Sequence, residues 1–282
     1  MNLRPLQTLL TAQPASDGAG VKLHRIVGPN GMRALDPFLL LDEFASDSAA
    51  DYIAGFPPHP HRGFETVTYM LAGEMLHEDH LGNRGRLSAG GVQWMTAGRG
   101  VIHSEMPQQQ EGRMHGFQLW INLPAAEKLK DPAYREIPAA TIPVATLPNG
   151  GTVKAIAGRY ETPGGTLVGA VSGISTEPLY LDVRLPPGTD LAVPVSRGHR
   201  ALVYLYGGSL GWGDRTQGVR QMAVLGDGDG LELRAGAEGA QALVLAARPL
   251  NEPMAHYGPF VMNTREEIDQ AIRDYDEGRL AA

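Results

Sequence analysis

The segment Val67-Thr68-Tyr69-Met70-Leu71-Ala72-Gly73 is followed by the Gly-rich turn Leu87-Ser88-Ala89-Gly90-Gly91 and then by an apolar run, Phe117 to Leu123. The same order returns in the second half as Ala201-Leu202-Val203-Tyr204-Leu205-Tyr206-Gly207-Gly208, Leu225-Gly226-Asp227-Gly228-Asp229-Gly230 and Ala242 to Ala246. A strand ending in Gly, a Gly-rich turn and a later apolar strand, met twice in one order, form a faint internal repeat and predict two similar β-domains. Val21 to Val27, Thr66 to Leu71, Gly91 to Thr96 and Leu179 to Leu185 are further short apolar or alternating runs bounded by turn residues, and each reads as a strand. Two segments read as helices, Ala125 to Tyr134 and Thr264 to Arg279. The second opens with Thr264 and Glu267 in capping-box spacing and carries Ile268, Ile272 and Tyr275 at helical spacing. The expected class is all-β. An N-terminal domain over residues 1–136 precedes a linker at 137–148, broken by Pro138, Pro143 and Pro148. A second domain over 149–282 ends in the helix.

Composition agrees with many short strands joined by tight turns, since Gly (36) and Pro (21) are spread along the 282 residues. A net charge of -7 and the lack of any Lys/Arg run argue against direct nucleic-acid binding, which needs clustered cations to displace counterions. With no cysteine, disulfides, thiolate ligands and Cys nucleophiles are excluded, and any metal must be held by nitrogen and oxygen. The apolar run within Met1 to Ala15 is broken by Pro5, Gln7 and Thr8 and makes a poor secretory signal. No stretch reaches transmembrane length, so the expected compartment is the cytoplasm, with no membrane partner.

His59-Pro60-His61 and His103-Ser104-Glu105 carry the chemistry. Side chains two apart on an extended segment point to one side, and Pro60 helps hold that segment extended. Two such pairs facing each other across a barrel supply three nitrogens and one carboxylate oxygen, a set suited to iron, manganese, nickel, copper or zinc, with one or two positions left open. Glu65 shares the parity of the first pair, and spacing leaves it open as a ligand, a nearby base or a plain strand carboxylate. His77-Glu78-Asp79-His80 precedes Leu81-Gly82-Asn83-Arg84-Gly85 and reads as a solvated hairpin. His115 is either a cavity residue or an ordinary paired histidine. His199 stands alone, so the second domain is expected to bind no metal.

These residues fall in blocks that resemble the pirins of the cupin superfamily: Leu35 to Phe44, Phe56 to Tyr69, Asp79 to Asn83, Gln93 to Glu105 and Gly116 to Pro124, and more weakly Gly258 to Thr264. The resemblance implies two tandem cupin barrels of the double-stranded β-helix kind, with Fe(II) in the first held by His59, His61, His103 and Glu105. It leaves Glu65 outside the ligand set, because general cupins take their glutamate after the His pair whereas pirins take it from the second motif. Thr96 stands where general cupins carry proline, a departure that pirins share.

Two functions attach to the family. One is flavonol (quercetin) 2,3-dioxygenase activity, in which O₂ opens the heterocyclic ring and carbon monoxide leaves, with Glu105 or Glu65 as the base for the flavonol hydroxyl. The other is redox-sensitive regulation through a protein partner, a transcription factor or a metabolic enzyme. The chain shows no basic patch or exposed apolar run for docking, so the enzyme reading leads, with a flavonol-like aromatic and O₂ as partners of a monomer.

Overall fold

The computed structural model describes residues 1–28, 32–162 and 164–281. It divides into two compact units, one formed by Gln13–Ala139 with Leu250–Ala282, the other by Met1–Ala12 with Ala140–Pro249. No helix among the described residues is long and apolar enough to cross a membrane.

Each unit is built on a seven-strand antiparallel path. In the first the order is Ala133–Ile137, Val92–Thr96, Phe64–Ala72, Met114–Asn122, Phe38–Ser46, Val21–Val27 and Gln13–Asp17. In the second it is Leu6–Thr11, Gln221–Leu225, Arg200–Trp212, Gly230–Ala247, Leu179–Leu185, Thr152–Ala157 and Val144–Thr146. The segments of the internal repeat occupy matching places, the strand that ends in Gly lying third and the later apolar strand fourth. The glycines themselves are corners. Gly73 (φ 87°) separates Phe64–Ala72 from Glu74–Asp79, and Gly208 (φ 70°) sits between two register shifts of the long strand Arg200–Trp212. A Cβ on Gly208 would lie 2.0 Å from the Gly239 carbonyl oxygen, so only glycine lets the strand turn there.

The first unit also has a separate four-stranded sheet, ordered Phe56–His61, Val101–Pro107, Glu74–Asp79 and Arg84–Ser88. Phe56–His61 contains three prolines and lies at the edge, where the missing N–H groups cost no ladder bonds. Val21, Leu23, Phe44, Met70, Met75, Leu87 and Met114 pack together as one buried cluster of this unit. In the second unit the corresponding pairing is Asp190–Pro194 with the start of Gly230–Ala247, where Leu191 faces Leu233 and Val193 faces Leu231, all buried in its core.

The C-terminal helix, Arg265–Asp276, has the expected capping box: the Glu267 N–H donates to the Thr264 hydroxyl, and the Thr264 N–H donates to the Glu267 carboxylate. Ile268 and Ala271 are its buried positions, whereas Tyr275 is 41 % exposed and lies off the buried stripe. The helix expected at Ala125 to Tyr134 does not form. One 3₁₀ turn, Ala125–Glu127, is followed by the strand Ala133–Ile137. Pro132 disfavours helical backbone at Asp131, and Val92–Thr96 offers an open edge for the strand to cover.

The units also differ from a simple cut of the chain into 1–136 and 149–282. Leu6–Thr11 covers the edge of Gln221–Leu225 in the second unit, as Ala133–Ile137 covers that of Val92–Thr96 in the first, while residues 250–282 pack with the first. The stretch 137–148 is structured too: Pro138, Pro143 and Pro148 punctuate a 3₁₀ turn, Ala139–Thr141, and a strand, Val144–Thr146.

Candidate metal centre

His59 and His61 lie on Phe56–His61 and His103 on Val101–Pro107, with His59 directly opposite His103 in the antiparallel register. The one ligand atom offered by each histidine lies within 4.8 Å of the others, and the three form the metal-competent group found among the described residues. Ring centroids are 4.7 Å apart for His59 and His61, 4.4 Å for His59 and His103, and 5.0 Å for His61 and His103. The expectation of matching parity on two facing strands is therefore realised for all three imidazoles.

The donor atoms suit an ion. His61 Nδ1 and His103 Nε2 are buried without a hydrogen-bond partner, while His59 Nδ1 donates to the Pro57 carbonyl at 2.8 Å and leaves Nε2 bare. Buried polar atoms are rarely left unpaired, and two of them beside a third free nitrogen form a cradle that a cation completes. Burial, and next the neighbouring histidines, hold the pKa values of His61 and His103 well below the usual range. Both rings are thus neutral, the form that ligates a metal.

Glu105 follows a register shift after His103 and lines the same cavity as His59 and His61. It stands outside the three-histidine group, and its Oε1 accepts from the Thr68 hydroxyl at 2.8 Å. Glu65 is placed elsewhere. The chain turns at Gly63 (φ 91°), and the parity shared with His59 and His61 is lost there. Thr68 lines the cavity, so Glu65, odd where Thr68 is even, points from the opposite face of Phe64–Ala72. Its carboxylate accepts from Thr96 at 2.7 Å, and burial raises its pKa. His115 is buried against Glu43, 2.8 Å away, and is not part of the cavity wall.

The cavity has a volume of about 520 Å³, within the range of small-molecule sites. Phe44, Phe56, Leu23, Leu40, Met75 and Trp120 make it largely apolar, with Trp120 also against His61 at 5.2 Å between centroids. A polar row crosses its floor from strand to strand. Arg25 pairs with Asp42, Asp42 with Gln118 and Gln118 with Thr68 in register, and Thr68 reaches Glu105. The Arg25 guanidinium donates twice to Asp42, at 2.9 and 2.6 Å, and also to Asp17. Burial pushes the Asp42 carboxyl up to about 6 against the pull of Arg25. The Thr68 hydroxyl also lies 2.6 Å from the Gln118 amide; its single proton goes to the carboxylate, so the amide N–H₂ is the matching partner. Size alone does not select this cavity: the second unit holds one of about 560 Å³, whose lining includes a single histidine, His199.

Three features escape the sequence reading. Lys128 is buried and donates to the carbonyls of Gly63 and Val261 and to Asn122 Oδ1, joining the C-terminal segment to the turn after His61. That segment brings His256, Gly258 and Pro259 to the cavity wall. The third feature corrects an expectation: His77 and Asp79 are not solvated, their side chains being 1 % exposed each, and His77 contacts His103. The hairpin turn is there, and Glu78 is exposed on it, but alternation along Glu74–Asp79 sends residues 77 and 79 inward. The two-residue spacing that singled out the other pairs applies equally to this one.

Comparison with known proteins agrees with the fold. The pirin profile matches residues 20–121, and that of the pirin C-terminal cupin domain matches residues 180–281. A Pseudomonas aeruginosa protein provisionally named a quercetin 2,3-dioxygenase is 53 % identical over 281 residues, spanning 99 % of this chain and 98 % of that protein. Human pirin is 41 % identical over 268 residues, 92 % of this chain and 88 % of its own. The crystal structure of a quercetin 2,3-dioxygenase from Acinetobacter baumannii superposes with a TM-score of 0.90 at 33 % identity, covering 99 % of both chains. With its two cupin units and a three-histidine metal site in the first, this chain belongs to the pirin family.

Proposed function

We propose that the chain is a metal-dependent flavonol 2,3-dioxygenase that opens the heterocyclic ring of its substrate with O₂ and releases carbon monoxide. The observation that carries this reading is the convergence of three imidazoles, two of them lining an apolar cavity large enough for a fused aromatic. The dioxygenase names of similar proteins point the same way. His59, His61 and His103, with Glu105 as fourth ligand, would hold a redox-active divalent ion, which would supply a path for electrons between flavonol and O₂. Zinc has no redox chemistry to offer O₂, and among the remaining ions that suit this donor set we assign iron(II) on the pirin resemblance.

The chain's own residues do the remainder. The apolar walls exclude water and flank the planar substrate. Glu105, oriented by the Thr68 hydroxyl, takes the proton of the flavonol 3-hydroxyl. At the other end of the polar row, Arg25 and Asp42 face the cavity and suit a ring hydroxyl remote from the reacting carbon. Glu65, across the sheet, is assigned to packing. A monomer in the cytoplasm, a compartment compatible with a cysteine-free chain, completes the proposal.

The test is an anaerobic-to-aerobic transfer of the iron-loaded protein with quercetin. Loss of flavonol absorbance with stoichiometric carbon monoxide, abolished in His61→Ala, supports the reading. An iron-replete protein that turns over no flavonol overturns it. Metal analysis of the purified protein tests the choice of iron.

A further inference from the structure

His77 and Asp79 are buried groups that the proposed reaction does not use. In the antiparallel register His77 lies opposite Glu105 and Asp79 opposite His103, so the two pairs interleave across neighbouring strands. His77 Nδ1 is 3.3 Å from His103 Nδ1, and His77 Nε2 is 3.4 Å from Asp79 Oδ2. Asp79 is itself fixed: its Oδ1 accepts from the N–H groups of Leu81 and Asn83 at 2.9 and 3.0 Å, and its Oδ2 accepts from Asn83 Nδ2 at 2.8 Å. The His77 ring stacks on Tyr134, 4.5 Å between centroids and 17° from parallel, which sets its plane.

We propose that His77 and Asp79 are positioning residues that hold His103 in the tautomer and ring orientation a metal ligand requires. Donor and acceptor roles admit one assignment for a neutral pair. A carboxylate only accepts, so His77 Nε2 carries the proton and donates to Asp79. His77 Nδ1 is then bare and accepts from His103 Nδ1–H, and the lone pair of His103 rests on Nε2, the buried atom without a protein partner. His59 is arranged by the same logic with the Pro57 carbonyl as acceptor. The hairpin turn at residues 80–83 thereby acts on the metal centre through two side chains, fixing the turn, the carboxylate, His77 and His103 in sequence.

The inference rests on His103 being a ligand, and its test reads metal binding rather than flavonol turnover. His77→Phe keeps a ring over Tyr134 and removes the acceptor; His77→Gln keeps an acceptor. In an anaerobic cobalt(II) titration, His77→Phe should weaken binding about 10- to 100-fold and shift the visible cobalt spectrum, with the Gln variant recovering most of the loss. Wild-type protein that binds cobalt(II), and His59→Ala that does not, establish the site itself. If those two results hold and His77→Phe binds as wild type with an unchanged spectrum, the positioning role is overturned while the site stands. Equal weakening in the Phe and Gln variants, with equal losses of melting temperature in the metal-free proteins, also overturns it, since packing alone then explains the effect. Should His77→Phe not fold, Asp79→Asn takes its place: weaker, spectrally altered binding supports the proposal and unchanged binding overturns it.

Discussion

Lys128 offers a quantitative check on how the C-terminal segment is tied to the site. Its ammonium has three N–H bonds and meets three acceptors, the Gly63 and Val261 carbonyls and Asn122 Oδ1, all neutral. Burial without a contacting carboxylate pulls its pKa from the usual lysine value of 10.5 to about 7, with Glu252, Glu267 and Asp36 opposing from further off. Between pH 7 and 10.5 the unfolded chain therefore holds a proton that the folded chain has released. Stability must rise with pH across this window, by about 1.4 kcal/mol per unit in the steep part and on the order of 4–5 kcal/mol in full. The cost of the buried charge is fully present below about pH 7 and is relieved as the pH climbs. Lys128→Met removes the titration and leaves three acceptors unpaired, each worth about 1–3 kcal/mol when buried. Urea unfolding of metal-free wild type and Lys128→Met at pH 7, 8, 9 and 10 should show the gap widening in favour of wild type at every step. A gap that stays flat, or narrows, refutes the reasoning: the lysine would then stay charged to high pH, its three hydrogen bonds outweighing its desolvation.

Two further substitutions separate local effects from the site. Thr68→Val conserves shape but deprives Glu105 of its donor, and loss of a hydrogen bond to a charged group, about 1.5–3 kcal/mol, should lower flavonol-dependent O₂ uptake by about tenfold or more, measured beside the metal-free melting temperature. Thr264→Ala removes the hydroxyl half of the capping box, leaving the residue-264 N–H to Glu267 half intact, and should cost about 1 kcal/mol in chemical unfolding while leaving cobalt(II) affinity unchanged.

The parts of the centre that were legible in the sequence are those governed by strand alternation within one segment. His59 with His61 needs only an extended backbone, and the capping box of Thr264 needs only its own turn. Glu65 shows where such reasoning stops: one glycine at positive φ resets the alternation, and nothing in spacing announces it. His77 and Asp79 were hidden for another reason, because a following turn suggests solvent while the identity of the neighbouring strand, Val101–Pro107, decides burial. The failed helix at residues 125–134 and the destination of Leu6–Thr11 share this cause. Each is settled by which sheet edge is left open, and that is a property of residues far away in sequence.

The exchange of end segments between the units has a consequence for synthesis. Residues 13–139 precede the second unit's segment 140–249, yet the wall of their cavity that contains His256, Gly258 and Pro259, and the Val261 carbonyl that receives Lys128, follow it. At ribosomal speeds of about 5–20 residues per second the nascent first unit stays open for several seconds or more before its closing piece exists. Over that interval its histidines stay accessible to ions from the surroundings, and the unit seals only after residues 250–262 have been made.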